Sequence, residues 1–160
     1  PPKRIAPDRA RFPHLPHAPV IVDRTHFTDE ELGLWGMQWE DVRITGFVGG
    51  KPVKDIRFVS DPVATTLEVV ADRLSISAAE RDCVRVMVRA LDQAGNKLPF
   101  LFEPVEIEVS GAGRLLGPSL VPLRGGSTGF WLGATGVAGP IGVRVASPRF
   151  GVTSLEVTAQ

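Results

Sequence analysis

From Val84 to Ala90 the chain alternates with a period of two: Val84, Val86, Val88 and Ala90 fall on one side, with Arg85 and Arg89 on the other. That is the pattern of a half-buried strand. The strand runs into Asp92-Gln93-Ala94-Gly95-Asn96, a turn that needs positive φ, which Gly95 and Asn96 both tolerate. The same reading predicts strands near 66–71, 83–91, 104–109, 127–134, 140–146 and 152–158, with shorter pieces near 74–77 and 113–123. Strand parity aims Val84, Val86, Val88, Val105, Ile107, Val109, Val143 and Val145 into one core.

Upstream, Val42–Val48 and Lys51–Phe58 flank Gly49-Gly50, two glycines between alternating runs, which predicts a β-hairpin with a primed turn. Two strands alone do not make a stable domain. Before them, Thr28-Asp29-Glu30-Glu31 is a capping box, and Phe27 with Leu32 forms a hydrophobic staple, so a short helix is expected over about 29–35, stopped by Gly36. Residues 1–20 hold six of the prolines and show neither period; they are expected to run extended over a surface or to be disordered. The fold class is therefore all-β: an immunoglobulin-like antiparallel β-sandwich over 66–160, preceded over 1–65 by a proline-rich arm, short helix and hairpin, the tail of a preceding module.

Composition narrows the partners. Eighteen basic and eighteen acidic residues cancel, so no broad field draws nucleic acid or an anionic membrane, and neither is expected as a partner. No apolar run approaches the roughly 20 residues that span a bilayer. Cys83 is the only cysteine, which rules out an internal disulfide and leaves the fold to packing; parity puts it off the valine face, as a partly covered structural thiol. Seventeen glycines, 14 prolines and no tyrosine suit many short strands joined by turns.

Four blocks recur in a fixed order: Leu67-Glu68-Val69-Val70-Ala71-Asp72; Val84 through Pro99 with its Asp-x-x-Gly-Asn-x-x-Pro turn; Val105 through Gly117 with Gly111-Ala112-Gly113-Arg114-Leu115-Leu116-Gly117; and Gly136 through Val145. This series resembles the C-terminal immunoglobulin-like domains of family 2 glycoside hydrolases, the β-galactosidase group. Trp39 through Val53 looks like the closing hairpin of the preceding sandwich in those enzymes, with Gly49-Gly50 in place of the usual Asn-Gly or Asp-Gly. The resemblance implies a noncatalytic accessory domain whose parent hydrolyses terminal β-glycosidic bonds with retention, using two glutamates about 5 Å apart at the end of a (β/α)₈ barrel. That barrel is not in these residues. The family's acid/base glutamate follows an Asn, whereas Asn96 here precedes Lys97.

Other candidate chemistry is thin. Glu68, Glu106, Glu108 and Glu156 fall in predicted strands as outward charges. His14, His17 and His26 could be imagined around zinc, but they lie in a stretch with no element to fix them, and no metal or cofactor is expected. Gly125-Gly126-Ser127-Thr128-Gly129 resembles a phosphate cradle without the Lys-Ser/Thr pair or helix behind it. No catalytic residues are assigned. Among the aromatic residues, Trp35 and Trp39 are expected to pack near the hairpin. Trp131 is the one binding candidate: parity sends it outward between Gly129 and Gly133, as an interdomain or sugar contact. Expected partners are the other domains of a parent enzyme, with carbohydrate as an alternative. Three readings thus stand: glycosidase accessory domain, carbohydrate-binding module, and adhesin-type structural repeat.

Overall fold

Alternation becomes two sheets in the computed structural model, which describes residues 4–28, 30, 41–79 and 81–160. The helix expected over 29–35 and the packing expected of Trp35 and Trp39 lie outside the described residues. Residues 1–40 and 41–160 form two compact units.

In the first unit the described arm does not run extended. The Asp8 amide donates to the Pro19 carbonyl at 2.8 Å, and the Asp8 carboxylate takes the Arg11 amide and Nε, so a local ion pair closes a turn that proline φ values alone would leave open. A single 3₁₀ turn, Arg24–His26, follows with Asp23 as its N-cap.

The second unit opens with the predicted hairpin, β1 (Val42–Val48) and β2 (Lys51–Phe58), turning at Gly49 and Gly50, both with positive φ. Then come β3 (Ala64–Ala71), β4 (Ser75–Ile76), β5 (Cys83–Asp92), β6 (Pro104–Gly111), β7 (Gly113–Leu116), β8 (Leu120–Pro122), β9 (Ser127–Ala134), β10 (Gly139–Ser147) and β11 (Gly151–Ala159). They pair as a four-stranded sheet, β3-β5-β9-β7, and a five-stranded sheet, β4-β11-β10-β6-β8.

The inner faces of these two sheets supply the core. Val84, Val86, Val88, Val105, Ile107, Val143 and Val145 are buried, as parity predicts, and Val109 packs partly buried against them. Leu123, Leu132, Ile141 and Val157 complete the centre. At roughly 25 cal/mol for each Å² of apolar surface removed from water, this packing is the main stabilising term in a chain with no disulfide. The Thr153 hydroxyl donates to the Leu67 carbonyl at 3.0 Å, joining β11 to β3.

The segment read from sequence as short pieces near 113–123 is a crossing between sheets. β6 ends in one sheet and β7 begins in the other, two residues later. The change demands Gly-Ala-Gly: a Cβ on Gly111 would stand 2.2 Å from the Pro140 carbonyl oxygen, and one on Gly113 would stand 2.4 Å from Ile141 Cγ2. Gly111 also has φ +78, which only glycine adopts without strain.

Candidate functional site

Three exposed apolar surfaces stand out once the core is accounted for. The first is one face of the hairpin. Cross-strand pairing sets Val42 opposite Phe58 and Ile44 opposite Ile56, and these four side chains remain 37–48% exposed. The opposite face is polar and self-satisfied: Asp55 accepts from Arg43 Nε at 2.9 Å and from the Thr45 hydroxyl at 2.8 Å, while Arg57 pairs with Asp41. The guanidinium of Arg43 and then the Thr45 hydroxyl hold the Asp55 carboxyl below its ordinary range, and Arg57 with the Ser60 amide does the same for Asp41. An amphipathic hairpin with its polar side knit and its apolar side open has the anatomy of half a sandwich.

The hairpin is tied to the β3-to-β11 sandwich by side chains of the Asp92–Asn96 turn. Asn96 Nδ2 donates to the Arg57 carbonyl at 2.6 Å. Gln93 donates to the Asp61 carbonyl at 2.7 Å and accepts from the Val63 amide at 2.8 Å. Buried Asp92 keeps the turn in shape, its Oδ1 accepting from the Ala94 and Asn96 amides at 2.8 Å each.

The second surface surrounds Trp131 on the outer face of the four-stranded sheet. Phe130 and Leu132 go to the core and Trp131 stays 49% exposed, in line with its parity. It lies in a row between Arg85 on β5 and Leu116 on β7. The glycines on either side do not leave it standing clear. Met87 Sδ lies 3.0 Å from where a Gly129 Cβ would be, and Leu116 Cδ1 lies 3.0 Å from that of Gly133, so neighbouring strands lean apolar side chains over the glycine gaps and form a strip with the indole. Two arginines on this face are held within the sheet: Arg85 makes a two-point contact with Asp72, Nε at 3.1 Å and Nη2 at 3.2 Å, and Arg89 pairs with Glu68 at 2.6 Å.

The third surface was missed by the sequence reading, which weighed only tryptophans. In Phe100-Leu101-Phe102, Leu101 packs on the core while Phe100 is 91% and Phe102 is 70% exposed. The available signal was three apolar residues placed between a turn and a strand, where polar residues are the rule.

Of the remaining candidates, Glu108 pairs across strands with Arg144 at 2.9 Å, and Glu106 and Glu156 are exposed on strands. Gly125 and Gly126 form the β8–β9 loop, with the Gly126 amide donating to the Leu101 carbonyl at 2.9 Å and so not directed at a ligand. His26 Nδ1 lies 3.0 Å from Asp23 Oδ1, and the His14 ring stacks at a tilt on Phe12, centroids 6.5 Å apart. The structure does not bring the three histidines together with other ligating groups among the described residues. Cys83 is half-buried.

Comparison with known proteins gives the chain its place. The family model for glycoside hydrolase family 2 C-terminal domain 5 matches residues 67–156. A β-galactosidase of Rhizobium meliloti is 56% identical over 134 residues, which are 84% of this chain and 18% of that protein. A β-galactosidase of Thermoanaerobacterium thermosulfurigenes is 41% identical over 77% of this chain and 17% of its own length. The chain therefore spans under a fifth of both relatives. Among solved structures, a family 2 glycosyl hydrolase from Bacteroides cellulosilyticus superposes with a TM-score of 0.63 at 17% identity, covering 76% of this chain and 17% of that one; at this identity the likeness speaks for the fold. A family model covering more than half of the sequence and relatives of this identity establish the kinship: the chain belongs to the C-terminal domains of glycoside hydrolase family 2, as a noncatalytic accessory part of a larger enzyme.

Proposed function

We propose that the parent enzyme is a retaining β-galactosidase and that this chain buttresses it, with residues 66–160 as the immunoglobulin-like domain and residues 1–65 as the tail of the module before it. The observation that carries the activity is the 56% identity to a β-galactosidase across a segment forming 18% of that enzyme. By resemblance the chemistry belongs to a barrel outside these residues, where one glutamate attacks the anomeric carbon and the other protonates the leaving oxygen. The role of this chain is mechanical. The open hairpin face and the Trp131 strip are surfaces for the parent's other modules: both are apolar at the centre, which is the make-up of a protein contact.

Expression of the longer reading frame, with nitrophenyl β-galactoside as substrate and the anomer of the first-formed sugar read by NMR, tests the proposal. Turnover giving the β-anomer first is expected from the full polypeptide, with none from residues 1–160. Inversion, or turnover by the 160-residue chain that disappears when one of its own glutamates is changed, overturns it. For Trp131, the change Trp131→Ala is expected to weaken the parent assembly; unchanged stability with loss of binding on a glycan array would make it a sugar platform instead.

A further inference from the structure

Phe100 is the most exposed of the large apolar side chains described, and the loop that carries it is held at several points. The Leu98 amide donates to the Ala90 carbonyl at 3.0 Å, the Leu101 amide to the Leu98 carbonyl at 3.2 Å, the Gly126 amide to the Leu101 carbonyl at 2.9 Å, and the Leu123 amide to the Glu103 carbonyl at 2.7 Å. Gly126 makes the close approach possible, since a Cβ there would stand 2.0 Å from the Leu98 carbonyl oxygen. With Leu101 anchored in the core, Phe100 and Phe102 are both turned outward. The loop backbone is thus held in a conformation that sets both rings on the outside.

We propose that Phe100 and Phe102 are the anchors of an interdomain contact, seated in an apolar pocket on the part of the parent polypeptide outside residues 1–160. The inference rests on the accessory-domain reading and names a contact that reading does not. Three observations favour this occupant. Residues 98–102 are Leu, Pro, Phe, Leu and Phe, offering no side-chain hydrogen bond to sugar hydroxyls, which a saccharide site requires. Asn96, two residues before the loop, holds the Arg57 carbonyl at 2.6 Å, so the turn that leads into the loop is fastened to the end of β2. More than four-fifths of the Rhizobium meliloti relative also lies outside the matched segment, ample chain to supply a pocket. Preformed aromatic anchors lose little freedom on docking and carry a large share of a contact's energy.

Hydroxyl-radical footprinting of the full-length parent polypeptide, without any substitution, reads the contact directly. Phe100 and Phe102 are expected to be oxidised about tenfold more slowly than in the same protein after unfolding. Reactivity of both rings close to that of the unfolded protein overturns the proposal. So does protection that disappears when dilution separates copies, which would assign the rings to a second copy, or protection that appears only with added lactose or galactan, which would assign them to carbohydrate. In a second measurement, Phe100→Cys is expected to react with maleimide about tenfold more slowly than Lys97→Cys in the folded full-length protein, with sites resolved by peptide mapping; equal rates overturn it. Loss of hydrolysis would count against the proposed activity and leave this footprint standing, whereas exposed rings on an active β-galactosidase would sink the anchors alone.

Discussion

β5 and β2 are both alternating strands, and they end in opposite environments. β5 buries every second residue from Val84 to Asp92, while all eight residues of β2 are exposed. Alternation fixes which residues share a face, but burial comes only when a second sheet covers it. The sandwich carries its own cover; the hairpin has an apolar face of Val42, Ile44, Ile56 and Phe58 that remains open. The comparison separates the faces that stabilise this chain from those it leaves available for contact: closed faces do the first, open faces the second.

The sandwich side is the more costly to break. Val86 is fully buried, and Val86→Asp, which puts an unpaired charge there, is expected to cost about 4 kcal/mol in urea denaturation of the 160-residue chain. A loss below about 1 kcal/mol would mean the core does not hold the fold as described.

On the hairpin, Phe58→Ser is expected to cost under about 1 kcal/mol in the same experiment, because a half-exposed ring has little burial to lose. In the full-length parent the same change should lower the melting temperature measurably, if the proposed docking covers the face there. Equal shifts in the two settings would remove the distinction between closed and open faces.

Acid sharpens the comparison further, with the smallest expected effect. Asp55 and Asp41 both titrate below their ordinary value of 3.8 when folded. The stabilisation they give is therefore complete above that value and is lost as pH falls through the lowered values. Amide exchange measured across this range should show protection fading first between β1 and β2, while β5 and β9, whose Val86, Val88, Phe130 and Leu132 are buried in the core, keep theirs. Simultaneous loss in both places would tie the hairpin to the sandwich's own unfolding.

Much of the fold was legible because the strands write their parity into the sequence: Val84 through Ala90, Val105 with Ile107, and Val143 with Val145 all sit where alternation puts them. Turn chemistry was equally readable, as Gly49-Gly50 and the Asp92–Asn96 turn attest. Less legible was anything decided by a neighbour distant in sequence. The glycines beside Trp131 suggest an isolated indole, yet Met87 and Leu116 come from other strands to lean over the gaps. Phe100 and Phe102 read as ordinary apolar residues, because the constraint that turns them outward comes from Gly126, in a different loop. The proline arm shows the same limit at short range: an ion pair between Asp8 and Arg11 closes a turn that proline content alone did not predict.

The β11 strand lies inside its sheet, between β10 on one side and the short parallel β4 on the other, with the Gln160 amide bonded to the Ile76 carbonyl and the Ala78 amide to the Gln160 carbonyl. During synthesis the sandwich therefore closes only once its last strand arrives. Until residues 151–159 have left the ribosome, β10 offers an unpaired edge, and the core lacks Val157 and Ala159. A ribosome that stalls before that point releases a product with a sticky strand and an open core, the kind of species that proteases and chaperones recognise. A chain cut after Ser147 should accordingly be digested at a protease concentration that leaves the 160-residue chain intact.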